Sequence, residues 1–303
     1  MKEKKTSNKV ISLTNRISDK KSWVNHKRKP ESSETGTRVI AITSGKGGVG
    51  KTNIVANLGY SLSALGKKVL IMDADLGLAN LDVLLGLAPK YNLSHVITGE
   101  KTFSEITVKG PGDISILPAS SGIQELTRLT REQGIRFLTE LDSLLESYDI
   151  LLIDTAAGIS SNVIYFSTTA QEIIVVVSPE PTSITDGYAL MKVLSLKYLQ
   201  KNFKLLVNLA SDREEADDVY RQLDLVSDRF LDIKIEFMGF VLHDKQVGKS
   251  VRRQKIVSEL FPGADASKCF DALAKRICRT TAPELPGGKT NFFWKFFLRN
   301  ELD

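Results

Sequence analysis

Cysteine and tryptophan are scarce in this 303-residue chain, with two of each. Cys269 and Cys278 lie nine positions apart in a stretch of helical pattern, which at about 100° per residue puts them on opposite faces. They cannot chelate one metal together, and the three scattered histidines, His26, His95 and His243, supply no zinc spacing. No apolar run approaches the roughly 18 residues that a membrane-spanning helix needs. The opening MKEKKTSNKV is too polar for a secretory leader, so the chain reads as cytoplasmic. A composition of 42% hydrophobic and 25% charged residues excludes disorder throughout and suits one large α/β domain with appendages.

The net charge of +5 would suggest nucleic acid if it were spread over the body. Residues 1–37 hold ten Lys/Arg against four Asp/Glu, a balance of +6, which leaves −1 for residues 38–303. The first 37 residues therefore read as a basic tail, either a solvated disordered arm or one that folds on a partner through Val10, Leu13, Ile17 and Trp23.

From Arg38 onward, short Val/Ile/Leu runs alternate with helix-length amphipathic stretches. RVIAIT, KKVLIMDAD, ISILPA, YDILLID, EIIVVVS, KLLVNLA and EFMGFVL read as strands covered on both faces. Residues 52–65, 131–147, 183–198, 212–224 and 264–278 read as helices. This alternation predicts a doubly wound, mainly parallel sheet flanked by helices, over 38–280. TAPELPGGKT supplies a Pro/Gly linker at 281–290. In 291–303, Phe292, Phe293, Phe296 and Phe297 share one side of a helical wheel, the apolar arc continues through Trp294 and Leu298, and Lys295 and Arg299 fall together. This is the pattern of an interfacial amphipathic helix, which either enters a lipid surface or folds back on the protein.

Gly45-Lys46-Gly47-Gly48-Val49-Gly50-Lys51-Thr52 fits G-x-x-x-x-G-K-S/T between a strand and a helix that begins near Asn53. Glycines let successive N–H groups turn inward as an anion nest, and the helix N-terminus adds positive partial charge. Lys51 is expected to reach the β- and γ-phosphate oxygens, and Thr52 to give Mg²⁺ a hydroxyl. Asp154, which closes YDILLID, is the second Mg²⁺ candidate, and Gly158 beyond it has a backbone N–H for the γ-phosphate. Asp73 and Asp75 leave the sheet at the same edge. One would hold Mg²⁺ water and the other would orient the attacking water, a role assigned here to Asp75. A guanine site would show N-K-x-D after a late strand. The sequence there is Asn208-Leu209-Ala210-Ser211, which keeps only an amide able to pair with an adenine edge, so ATP is expected.

These residues resemble the MinD/ParA family of deviant Walker ATPases, whose K-G-G-x-G-K-S/T spans Lys46 to Thr52. Long strings, among them DADLGLANLDVLLGLAPK at 73–90, DTAAGISSNV at 154–163, EPTSITDGYALMKVL at 180–194, SDRFLDI at 227–233 and VRRQKIVSELFPGADAS at 251–267, narrow the likeness to its flagellar branch. The resemblance implies an ATP-dependent homodimer closing over two ATP molecules, with Lys46 crossing to the partner's phosphates. It also implies that loss of Asp75 blocks hydrolysis, that 291–303 attaches to the cytoplasmic membrane, and that the partners are flagellar: a GTPase of the FlhF type and switch-complex components. Two departures stand out. Asn53 replaces the Ser or Thr usual after Thr52, and residues 1–37 lack the D-Q-A-x-x-L-R element through which flagellar members stimulate that GTPase. A DNA-partition ATPase is the rival reading, but the body lacks the net positive charge for a DNA track, and no specific nucleic acid is expected. An iron–sulfur carrier of the related type would need a C-x-x-C pair that is absent.

Overall fold

The computed structural model describes residues 36–75, 80–118 and 130–281. The expected linker beyond residue 281, the expected helix at 291–303 and the expected tail before Gly36 lie outside these. Eight strands form one sheet: β1 (Arg38–Ser44), β2 (Val69–Ala74), β3 (Val108–Lys109), β4 (Ser115–Leu117), β5 (Ile150–Ala157), β6 (Glu172–Val177), β7 (Asn202–Ala210) and β8 (Lys234–Leu242). Their order is β3-β4-β2-β5-β1-β6-β7-β8, parallel throughout except where β3 pairs antiparallel with β4. All seven expected strands are present. β3 is an addition, two residues at the sheet's edge.

Eleven α-helices lie among the described residues: α1 (Lys51–Ala64), α2 (Leu81–Leu85), α3 (Leu93–Ile97), α4 (Phe103–Ile106), α5 (Arg131–Leu145), α6 (Ser161–Thr169), α7 (Pro181–Tyr198), α8 (Arg213–Phe230), α9 (Lys245–Val251), α10 (Val257–Leu260) and α11 (Asp265–Arg279). The five expected helices correspond to α1, α5, α7, α8 and α11, with α8 running six residues further than the pattern indicated. The alternation along each strand sorts the core. Ile40, Ile42, Ile71, Leu152 and Ile174 pack against α1, α10 and α11. Their strand neighbours face the other way: Val39, Ala41, Leu70 and Leu151 meet α3 to α6, while Val175 and Leu205 meet α6 to α8. Side chains at successive positions point to opposite faces, so a strand covered on both sides must be apolar at every position.

At the amino end of the strands, buried Arg38 pairs with Glu172 at 2.5 Å and donates to the carbonyls of Ile277 at 2.5 Å and Thr280 at 2.7 Å. It thereby satisfies free carbonyls at the end of α11 and fixes that helix to the first strand. Lys204 on β7 reaches the same carboxylate at 3.0 Å. The opposite end of the sheet is left open for chemistry. β1 connects through α1 to β2, past β5, while β6 lies on its other side, so the carboxyl end of β1 is the switch point where such sheets take ligands.

Candidate active site

The cradle after β1 is built by glycine geometry. Gly48 (φ 79°) and Gly50 (φ 89°) occupy the left-handed region, where residues with a Cβ are strained. At Gly50 an added Cβ would also stand 2.5 Å from the Asn208 amide, and at Gly45 it would meet the Asp186 carbonyl of α7 at 2.0 Å. Gly45 therefore admits α7 against the cradle. α1 has Gly50 as its N-cap, with no capping side chain and no acidic residue in its first turn. α3, α4, α5, α6, α8 and α9 have side-chain caps, whereas α2, α7, α10 and α11, like α1, have none; α1 differs in opening from a glycine cradle. The N–H donors at the head of α1 are thus left for an anion.

The two lysines of the cradle point in different directions. Lys51 is buried and donates to Ser44 Oγ at 2.9 Å, while Ser44 Oγ donates to the Lys46 carbonyl at 2.7 Å. Burial lowers the Lys51 pKa, and the charges of Asp154 and Asp75 oppose that shift. Lys46 lies on the rim, its Nζ paired with Glu180 Oε2 and donating to Thr182 Oγ1 at 2.8 Å, both at the head of α7.

The carboxylates converge from β2 and β5. Asp154 is the register partner of Asp73 on one side and of Ile42 on the other, which sets it two residues short of the cradle strand's end. Both are buried, and both are pushed up to about 7. Burial is the chief cause for each. Asp154 adds to the rise at Asp73, whereas a hydrogen bond from Thr52 and the charge of Lys51 restrain Asp154. Asp73 also accepts the N–H groups of Asp75 at 3.1 Å and Leu81 at 3.4 Å. Asp154 Oδ1 is buried with no hydrogen-bond partner. An orphaned carboxylate oxygen on a residue bonded to Thr52, beside a second carboxyl unwilling to ionise, is a site that fits a hard divalent cation.

Of the predicted site residues, the cradle from Gly45 to Thr52 and the carboxylates Asp73, Asp75 and Asp154 come together at this edge. Asn53 has a buried Oδ1 with no partner. The Gly158 N–H is donated to the Ser44 carbonyl at 2.9 Å, and the Asn208 amide to the Val49 carbonyl at 2.7 Å, so each now holds the cradle's backbone. Sequence reasoning missed Ser44, Glu180, Thr182 and Asp186. The string EPTSITDG at 180–187 contains three of them, but nothing in it reveals contact with a cradle 134 residues earlier.

A phosphate nest at the switch point of a parallel sheet, with a buried lysine, a rim lysine and convergent carboxylates, defines a P-loop nucleotide-binding protein. Residues 37–207 match the AAA domain family model. The chain is 43% identical over 256 residues to antiactivator FleN of Pseudomonas aeruginosa, covering 84% of this chain and 91% of that protein. It is 32% identical over 267 residues to flagellum site-determining protein YlxH of Helicobacter pylori, covering 87% and 90%. Among solved structures, MinD in the Aquifex aeolicus MinC:MinD complex aligns with TM-score 0.63 and 31% identity over 83% of this chain and all of that one. MinD of Pyrococcus horikoshii complexed with Mg-ADP aligns with TM-score 0.64 and 25% identity, over 80% and 96%. The chain belongs to the MinD/ParA family of P-loop ATPases, on its FlhG/FleN branch.

Proposed function

We propose that this protein is an ATP-switched dimeric regulator of flagellar number and placement. ATP would bring two copies together and favour attachment to the inner face of the cytoplasmic membrane, and a partner would stimulate hydrolysis and release the monomer. The observation that carries this reading is the division of labour between the two cradle lysines. Lys51 is buried against Ser44, where it would meet the phosphates held by its own chain, while Lys46 extends along the rim with its side chain one-third exposed, where a second copy could meet it. Lys46 would leave Glu180 and Thr182 of its own chain to reach a second copy.

Several features support the chemistry. Thr52 would give Mg²⁺ its hydroxyl, Asp154 and Asp73 would hold it through water, and the ion would neutralise charge on the β- and γ-phosphate oxygens. Asp75 would orient the attacking water. Gly158 N–H would reach a γ-phosphate only after releasing Ser44, which makes the loop after β5 responsive to the nucleotide. The P. horikoshii relative, solved with Mg-ADP, supports the nucleotide and the metal, and the names of the FleN and YlxH relatives favour the flagellar reading over a DNA-partition ATPase.

The test is light scattering in ATP and Mg²⁺. Wild-type protein should double its mass, and Lys46→Gln should remain monomeric and fail to hydrolyse ATP while keeping its fold. Full turnover by Lys46→Gln would rule out a role across the interface.

A further inference from the structure

Away from the cradle, positive charge gathers in one short stretch. Lys245, Lys249, Arg252, Arg253 and Lys255, on α9 and the turn after it, are all exposed. The same stretch holds Asp244 and Glu259 as its acidic residues. Among the described residues, the ion pair these cations make is Lys255 with Glu259, at 3.9 Å. The cluster is conspicuous in a body whose charge sums to −1.

Beside the turn is a cavity of about 140 Å³. Leu85, Leu87 and Pro111 form its apolar wall and Lys109 and Lys255 its cationic one, with Glu259 also lining it. Val83, on the adjoining helix α2, is 61% exposed. The turn is tied to that helix. Gln254 adopts a left-handed conformation (φ 53°), costly for a residue with a Cβ, and its Nε2 donates to the Val83 carbonyl at 3.0 Å. The N–H of Leu81, at the head of α2, donates to Asp73 Oδ2. Two hydrogen bonds and one five-residue helix therefore separate the basic turn from the carboxylates of the active site.

We propose that this turn and cavity receive an acidic, amphipathic segment of a partner protein, and that the partner's effect on hydrolysis travels through α2 to Asp73. The proposal rests on the reading of the chain as a partner-stimulated ATPase and supplies the partner's chemistry. A duplex would need cations spread along a phosphate track and would meet a body of slight negative charge. A single cationic turn over a small apolar cavity suits carboxylates flanking one or two aliphatic side chains.

The experiment uses the full chain and a fluorescent helical peptide with leucines on one face and glutamates on the other. Without nucleotide, the peptide should bind with an affinity that falls with salt, and Arg252→Glu/Arg253→Glu should weaken it about tenfold with basal ATPase unchanged. Gln254→Asn tolerates the left-handed backbone but is too short for Val83; Gln254 also lines the cavity, so at peptide concentrations that saturate both proteins the variant should respond less in ATPase rate than wild type. Absence of binding, or equal binding by wild type and the charge-reversed protein, overturns the docking surface. Equal stimulation of wild type and Gln254→Asn overturns the route through α2. Binding of duplex DNA in place of the peptide, lost on charge reversal, would give the surface to nucleic acid. Peptide binding by a wild-type protein that hydrolyses no ATP would uphold the surface and reject the hydrolytic reading alone.

Discussion

Asp73 and Asp154 stand opposite one another in register on adjacent parallel strands, both buried and both pushed up to about 7. Two carboxyls so placed resist ionisation together, and a divalent cation held there would supply a counter-charge to both. The free protein thus carries a local instability that a bound cation would relieve, and under the proposed function this would contribute to the difference between its states.

The sign of the pH effect follows. A carboxyl whose folded pKa lies above its unfolded value, 3.8 here, binds more protons in the folded state between those values. Folded stability therefore falls as pH rises from about 4 to about 7 and levels off beyond. Asp73→Asn removes the charge, so the nucleotide- and Mg²⁺-free variant should be more stable than wild type at pH 8, by up to about 4 kcal/mol, with the gap closing toward pH 4. Thermal unfolding across this range checks it. A gap independent of pH would mean that the asparagine acts through packing.

The separation of cradle from attacking water gives a second expectation. Lys51→Ala should weaken ATP binding at least about 100-fold, because a buried charge aimed at the phosphates is lost. Asp75→Ala should bind ATP normally, slow hydrolysis by about 10²-fold or more, and accumulate as an ATP-bound dimer. Binding titration together with light scattering distinguishes the two. An Asp75→Ala protein that stays monomeric and turns over normally would remove Asp75 from the chemistry.

A third expectation concerns the far end of the sheet. Arg38→Ala would leave the Ile277 and Thr280 carbonyls without their donor and Glu172 with Lys204 as its remaining cation. Breaking a buried pair from one side costs about 3 kcal/mol, and the surviving lysine softens that loss. Urea unfolding should therefore show a drop of about 2–3 kcal/mol with nucleotide affinity unchanged. A loss below about 0.5 kcal/mol would show that Lys204 compensates fully.

Residues whose chemistry constrains them locally were legible in the sequence. The cradle needs its glycines, lysine and threonine at fixed spacing, and the central strands need apolar residues at every position, so both announce themselves. α6 did not, because SNVIYFSTT is rich in β-branched and aromatic residues that favour strands, although Ser160 is a proper cap. β3 has two residues, too few for any period. Ser44 reads as the last residue of a strand, and only the folded chain turns its hydroxyl between Lys51 and the Lys46 carbonyl. Glu180 and Asp186 act across a sequence gap that no local pattern spans.

The last expectation returns to residues 291–303, where sequence alone supports an interfacial helix. Deleting them should abolish lipid binding and leave ATP hydrolysis intact, since every proposed nucleotide residue precedes the linker at 281–290. One short helix is a marginal anchor: burial at about 25 cal/mol per Å² must exceed the ordering cost. Two helices on one dimer bind far more tightly, because the second meets the surface at high effective concentration. Vesicle sedimentation of the full chain should therefore rise with ATP, and rise further with anionic lipid, which attracts Lys295 and Arg299. Equal sedimentation of full and truncated chains, with and without ATP, would reject the membrane reading and leave a helix folded back on the protein.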